Sequence, residues 1–190
     1  MPPHTDLLLE ERILKAGQKL WRTRGERGLT LRAVALEAGC TTPTVYKRFR
    51  DKQAILNTLA VRIRAELVEY LFGAAALEDV GRRYLEFVEQ HPYEYRLLLY
   101  SWGDIFRPGV PRPGRAWLMT EFAKRFGGDP EDYALQVYAM ILLAHGAGIL
   151  LSNPADEESR KDLRKNFFAI FDSLIEQPHV FGSPAPVSKK

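Results

Sequence analysis

Apolar residues recur along the chain at the three- and four-residue spacing of α-helices. No stretch of the sequence shows the two-residue alternation of a half-buried strand, and there is no internal repeat. The pattern therefore predicts an all-α protein. A first helix over about residues 6–24 is predicted by five apolar positions that share one face: Ile13, Ala16, Gly17, Leu20 and Trp21.

A second, shorter helix is predicted to follow. Gly25 and Gly28 interrupt the first helix, and Thr30 precedes an apolar-periodic run over residues 31–38. Thr30 is a residue type that caps helices, and Gly39 suits the end of a helix. A tight turn after Gly39 would then lead into the next element.

The third helix is predicted to run from Thr42 to Phe49, with Thr42 as its cap and Pro43 at its first position, where a missing N–H costs nothing. Val45 and Phe49 lie four residues apart, so both are expected to anchor this helix on the core. Asp51 is expected to cap a fourth helix that continues to about residue 71.

The rest of the chain predicts further helices separated by Gly, Pro and Asn. They are expected over residues 78–89, 92–102, 114–126, 130–151 and 156–176. The proline-rich stretch 107–114 predicts a loop, and residues 183–190 predict a disordered tail. The predicted fold is thus a small three-helix domain at the N-terminal end followed by a helical bundle.

Charge is distributed unevenly over the 190 residues. The net charge is only +3, but residues 1–60 carry 11 Lys/Arg against 6 Asp/Glu. A local basic excess attracts phosphate, although such an excess is also common on ordinary surfaces. We predict a nucleic-acid-binding domain over 1–56, a linking helix to about 71, and a second domain over 75–182.

The chain is expected to stay in the cytoplasm. No apolar run is expected to reach the roughly 20 residues of a membrane span, and the first residues lack the pattern of a signal peptide. Cys40 is the only cysteine, which excludes an internal disulfide and fits a reducing compartment. Packing is the simplest role for Cys40.

No catalytic, metal or cofactor site is predicted. The four histidines (His4, His91, His145, His179) show no metal-ligand spacing, and neither a nucleophile elbow nor a phosphate-binding loop occurs. Gly146-Ala-Gly148 lacks the third glycine of a nucleotide-binding pattern and is better explained by helix packing. For His145, a hydrogen bond in the core is favoured over contact with a ligand.

Residues 31–49 meet the requirements of a helix-turn-helix, in which the second helix enters the major groove of DNA. Thr methyls suit thymine, Arg and Lys suit guanine, and hydroxyls and ammonium groups suit phosphate. Thr44 and Lys47 rank ahead of Arg32 for base contact, while Tyr46 and Lys52 are assigned to phosphate. The full predicted set is Thr30, Arg32, Thr41, Thr42, Pro43, Thr44, Tyr46, Lys47, Arg48 and Lys52.

Two alternatives to sequence-specific binding remain at this point. Any single Thr or Lys of this set is more simply a solvated polar position on a small helical domain. The segment as a whole also suits an architectural protein that binds DNA without choice of sequence or control by an effector.

The stretch LTLRAVALEAGCTTPTVYKRFRDKQAIL, residues 29–56, closely resembles the signature of tetracycline-repressor-like regulators, and the resemblance extends over about residues 8–60. Ala38-Gly39 stands at the family's turn glycine, Tyr46 and Phe49 at its Tyr-x-x-Phe, and Lys52 at the lysine that opens its fourth helix. Cys40 departs from the small aliphatic residue usual there.

This resemblance implies an all-helical dimeric repressor with an N-terminal DNA-binding domain and a C-terminal domain that dimerises and binds a small effector. His91-Pro92, the segment 95–100 and Ala144-His-Gly-Ala-Gly148 look like the WHG-type C-terminal domain of one branch of the family. The implied partners are double-stranded DNA, a second copy of the chain and a small-molecule effector that releases the operator.

Two further expectations concern the downstream half. A four-helix dimer interface is predicted from the helices over 130–152 and 158–177. It is suggested by the small residues over 144–148 and by four apolar positions: Phe167, Phe168, Phe171 and Leu174. The alternative is that both helices pack only within one subunit. An effector pocket is suggested by amphipathic rings, although core packing is the simpler role for each: His91, Tyr95, Trp102, Trp117 and Tyr138.

Overall fold

The computed structural model describes residues 4–101, 111–152, 156–177 and 181, and every regular element in these ranges is helical. This confirms the predicted all-α fold. The α-helices, in chain order, are α1 (His4–Gly28), α2 (Leu31–Glu37), α3 (Thr42–Tyr46), α4 (Lys52–Phe72), α5 (Leu77–Gln90), α6 (Pro92–Leu98), α7 (Pro113–Phe126), α8 (Ala134–Ser152) and α9 (Glu157–Glu176). Two 3-10 turns, Leu99–Ser101 and Pro130–Tyr133, follow α6 and precede α8.

The first of two compact units contains the described residues of 1–65 and 93–106. In this unit α1 approaches α4 closely at Gly17, where an added Cβ would lie 3.0 Å from Ile55. Residues 93–101 also belong to the unit, and the indole Nε1 of Trp21 donates a hydrogen bond of 2.8 Å to the carbonyl oxygen of Tyr93. The buried core includes Ile13, Leu14, Leu20, Leu29, Val34, Val45, Ile55, Leu56, Tyr95 and Leu97.

The second unit contains the described residues of 66–92 and 107–190. Here α8 packs with α5, α7 and α9, and α5 also packs with α9. Gly81 of α5 permits this last contact, because a Cβ at that position would lie 2.8 Å from the ring of Phe171. The buried core includes Leu85, Val88, Phe122, Tyr133, Val137, Met140, Phe167, Phe171 and Ile175.

The predicted helix bounds agree with the structure to within about two residues for α2, α4, α5, α7 and α9. The first helix extends beyond residue 24 to Gly28, although its backbone is not helical at Gly25, and α8 begins at Ala134 after a 3-10 turn. The third helix ends at Tyr46 and not at Phe49, since the amides of Arg48 and Phe49 both bond to the Val45 carbonyl and tighten the last turn. The predicted helix over 92–102 ends at Leu98 and continues as a 3-10 turn. The predicted loop over 107–114 ends earlier, at the start of α7, while residues 107–110 and the predicted tail lie outside the described residues.

The expectation that no apolar run suits a membrane span was wrong. The segment Pro130–Ser152 has 23 residues and a mean hydropathy of 1.8, so by length and composition it suffices to cross a membrane. One such helix is weak evidence for a membrane protein, because the core helix of a soluble protein passes the same test. Here α8 packs against three other helices, yet only 39% of that apolar window is buried within the chain.

The contact between α5 and α9 gives a prediction about stability. Substitution Gly81→Ala forces a methyl group against the Phe171 ring, which cannot bend away as a flexible side chain would, and should lower the free energy of unfolding by about 1–3 kcal/mol. Urea denaturation followed by circular dichroism measures this. The control is Gly114→Ala on α7, where the new Cβ meets Val68 at an ordinary 3.5 Å; similar losses in both variants would contradict the packing argument.

Candidate nucleic-acid interface

The helix α2 is fixed at both of its ends. At its start the Thr30 hydroxyl accepts a hydrogen bond of 3.1 Å from the Ala33 amide, so Thr30 is the cap that the sequence predicted. At its end Gly39 has a φ of 63°, a backbone conformation that favours glycine, and this allows the chain to turn sharply toward α3.

Arg12 of α1 holds the turn between α2 and α3. Its guanidinium donates to the carbonyl oxygens of Ala38 and of Gly39, the second at 3.1 Å. These carbonyls belong to the end of a helix, where backbone acceptors have no partner in the helix itself. Arg12 was not predicted from the sequence, because no local pattern connects a residue of α1 to a turn 26 residues later.

The cap of α3 lies one residue earlier in the chain than predicted. Thr41, and not Thr42, is the cap: its hydroxyl accepts from the Thr44 amide at 3.3 Å and pairs with the Thr44 hydroxyl at 2.8 Å. Pro43 is therefore the second residue of the helix and not the first. A threonine caps the amide three residues later, and Thr41 is the threonine whose register meets Thr44.

The outward side of this helix-turn-helix is polar and basic. Val45 and Phe49 are buried, as predicted, and they fix which side of α3 faces the core. The predicted DNA contacts Thr42, Thr44 and Lys52 are half-buried, and the Thr44 hydroxyl is engaged by Thr41. The exposed members form a surface that we call the recognition face: Thr30, Arg32, Thr41, Pro43, Tyr46, Lys47 and Arg48.

Polar and charged groups fix the start of α4 beside this face. The Asp51 carboxylate accepts a hydrogen bond of 2.8 Å from the Ala54 amide, which confirms the predicted cap. That backbone bond, followed by the bond from Arg50, lowers the pKa of Asp51, so the cap remains ionised at neutral pH. The next residue, Lys52, places its Nζ 3.2 Å from Glu26 Oε1.

The five residues suggested for an effector pocket do not gather in one unit. Tyr95 is fully buried in the first unit, whereas His91, Trp117 and Tyr138 belong to the second. In that unit the His91 ring packs on Phe87 and the Trp117 ring on Phe72, with centroid separations of 4.8 and 5.2 Å. Trp102 lies outside the described residues.

His145 is held within the second unit by a neighbouring side chain. Its Nδ1 lies 2.6 Å from the hydroxyl oxygen of Tyr84, and the two rings meet edge to face. This is the hydrogen bond within the core that the sequence analysis favoured for His145.

The two short helices α2 and α3, joined by a turn at Gly39, have the form of a helix-turn-helix. Residues 13–59 match the profile of the family described as bacterial regulatory proteins, tetR family. Over the matched residues the chain is similar to the tetR family of transcriptional regulators. The matched family is described as one of regulatory proteins.

Two curated relatives and two solved structures extend the comparison. The tetracycline repressors of class D from Escherichia coli and of class H from Photobacterium damsela subsp. piscicida are each 31% identical over 97 residues, which is 51% of this chain and 42% of theirs. The chain thus spans less than half the length of the curated relatives it matches.

The solved structures show a shared fold. A TetR variant from Acinetobacter baumannii AYE in complex with minocycline is 18% identical with a TM-score of 0.65, covering 90% of this chain and 97% of that one. A TetR transcriptional regulator from Streptomyces coelicolor is 19% identical with a TM-score of 0.66, covering 89% and 96%. At such identities the likeness concerns the fold alone.

The cap of α3 gives a prediction about the interface. Substitution Thr41→Ala removes the hydroxyl that accepts from the Thr44 amide and pairs with the Thr44 hydroxyl, and should lower the free energy of unfolding by about 1 kcal/mol. Thermal and urea denaturation measure this loss. The control is Thr23→Ala on α1, whose exposed hydroxyl donates to the Lys19 carbonyl of its own helix. A loss as large in the control would contradict the capping argument.

Proposed function

We propose that this regulator is a repressor that binds a palindromic DNA operator as a homodimer and is released from it by a small-molecule effector. The observation that carries the proposal is the recognition face: α3 is capped at Thr41 and anchored by Val45, and Tyr46 at its end is exposed together with Lys47 and Arg48 of the turn that follows. A rigid helix with exposed basic side chains is what major-groove binding requires.

Each predicted contact has a proposed role at the operator. Lys47 and Thr44 contact base edges, whereas Tyr46 and Lys52 bind phosphate. Arg32, at the start of α2, contacts either the DNA backbone or a base edge. The sugar-phosphate backbone of the DNA is contacted by the remaining positions: Thr30, Thr41, Thr42, Pro43 and Arg48. Tyr46 is suited to a phosphate oxygen because 57% of its surface is exposed.

The second unit is proposed to carry dimerisation and effector binding. Effector binding would favour an arrangement of the two subunits whose recognition helices no longer match the spacing of the operator half-sites. Within this unit His91, Trp117 and Tyr138 remain the proposed effector contacts, whereas Tyr95 is buried in the core of the first unit and Trp102 lies outside the described residues. The WHG-type branch remains the proposed place within the family. The two curated relatives are named for tetracycline. For this chain we propose a small-molecule effector without assigning its chemical class, and we propose that the protein acts in the cytoplasm.

The dimer proposal is supported by large apolar side chains that are exposed on one side of α8. Leu135, Tyr138, Leu142 and Ile149 are exposed, and their spacing places them along one side of the helix together with the exposed Gly146. On α9, Phe167 and Phe171 are used inside the subunit, whereas Ile170 is exposed. A second copy of the chain would bury these exposed residues.

The DNA function is tested by selecting bound duplexes from a random pool at near-physiological salt and sequencing them. An enriched palindrome is expected; enrichment of no sequence, with equal affinity for unrelated duplexes, favours the architectural alternative. Lys47→Ala should then weaken operator binding about tenfold or more and relax base preference, whereas Tyr46→Ala should weaken binding to all duplexes alike. Lys15→Ala on α1 is the control, an exposed lysine outside the recognition face.

The dimer proposal is tested by placing a charge on α8. Leu142 is 48% exposed, so Leu142→Glu should leave each subunit folded but convert the dimer into monomers, because burying an unpaired carboxylate in an interface is costly. Equilibrium sedimentation at micromolar concentration measures the change. The control is Val61→Glu, at 57% exposure on α4. A monomeric unsubstituted protein, or a dimer that survives Leu142→Glu, speaks against this interface.

A further inference from the structure

Glu26 connects two residues that are far apart in the chain. It follows Gly25, whose φ of 63° interrupts the regular course of α1 and turns the backbone. One carboxylate oxygen, Oε1, lies 3.2 Å from Lys52 Nζ. The other, Oε2, accepts a hydrogen bond from the Tyr100 hydroxyl. The three residues belong to the first unit and form what we call the Lys52–Glu26–Tyr100 triad.

Tyr100 is itself held against α1. Its ring meets Trp21 edge to face, with centroids 5.2 Å apart and planes at 88°. Six residues earlier in the segment, the buried Glu94 carboxylate lies 3.3 Å from Arg22 of α1. Tyr100 is therefore a fixed donor, and it restrains a carboxylate that would otherwise be a mobile surface group.

The protonation states fit this arrangement. The hydrogen bond from Tyr100, and next the bond from Lys52, lowers the pKa of Glu26, so its carboxylate is charged at neutral pH. Burial, and next the hydrogen bond to Glu26, raises the pKa of Tyr100 to about 12, so its hydroxyl keeps the proton that it donates. The triad thus presents a permanent negative charge to Lys52.

Lys52 is the proposed phosphate contact at the start of α4, and a carboxylate and a phosphate compete for one ammonium group. We infer that Glu26 is a positioning residue that withholds Lys52 from the DNA backbone and lowers the affinity for DNA, and that Tyr100 keeps Glu26 in place. This inference rests on the proposed DNA-binding function. Both charged side chains are accessible to an approaching phosphate, with 37% of Lys52 and 48% of Glu26 exposed.

The size of the effect follows from this exposure. Ion pairs at the surface are weak, so breaking the pair of Glu26 and Lys52 should change the dissociation constant for DNA by about two- to fivefold. Because phosphate contacts do not depend on sequence, the change should be the same for the selected operator and for an unrelated duplex. It should also change the dependence of affinity on salt, since each lysine that engages phosphate releases a counterion.

The test measures binding of the full chain to both duplexes by fluorescence anisotropy over a range of salt concentrations. Glu26→Gln keeps an oxygen for the Tyr100 hydroxyl but removes the charge, and should raise the affinity about two- to fivefold with a steeper salt dependence. Tyr100→Phe should raise it less, and should add nothing in the presence of Glu26→Gln. Glu11→Gln is the matched control, a carboxylate of the same unit that pairs with Arg62.

A double-mutant cycle with Lys52→Met decides whether the effect passes through Lys52. The gain from Glu26→Gln should vanish in that background. A gain that persists there, or that Glu11→Gln reproduces, would show only a general charge effect and overturn the inference. A loss of affinity on Glu26→Gln would overturn it too, because Glu26 would then be orienting Lys52 toward phosphate. If the unsubstituted chain binds no duplex at all, the proposed function itself fails.

Discussion

The helix-turn-helix depends on support from outside its own two helices. With seven and five residues, α2 and α3 are far below the roughly 12–15 residues at which an isolated helix becomes stable in water. They persist because their ends are satisfied by Thr30, Thr41 and Arg12 and because Val34 and Val45 are buried in the core of the first unit. The orientation of the recognition face is therefore a property of that whole unit, and α1 and α4 are as necessary to it as α3 itself.

Much of this unit was predictable because its signals are local. Apolar spacing, a capping threonine or aspartate and a terminating glycine all act within one or two turns, and they located α1, α2 and α4 closely. The third helix was predicted less well. The run Thr41-Thr42-Pro43-Thr44 contains three threonines, and the sequence alone does not show which of them caps the helix. The position at which the helix begins in the structure makes Thr41 the cap. The end of α3 depends on how the chain turns to bury Phe49, which is a tertiary effect.

What the sequence did not reveal are contacts between distant segments. Arg12 reaches carbonyls 26 and 27 residues away, and Glu26 meets a hydroxyl 74 residues away. Neither residue stands out in its own neighbourhood, since charged residues on helix surfaces are common. The proposed effector contacts were also chosen from residue type alone. An aromatic residue with a polar tip, such as Tyr95, is typical of a ligand contact, yet Tyr95 is fully buried in the first unit.

The helix α8 carries the strongest constraint on the second unit. It has no charged residue along its length, and although it packs against α5, α7 and α9, large apolar side chains remain exposed along it. A periodicity argument cannot separate a core helix, a membrane span and an interface helix in such a segment, because all three are apolar on most sides. Burial divides the helix into two sides. The inward side contains Val137, Met140 and Ala144, which pack within the subunit, and the outward side contains Leu135 and Leu142, which are exposed. The proposed homodimer would bury this outward side, because a second copy brings the same apolar surface to it.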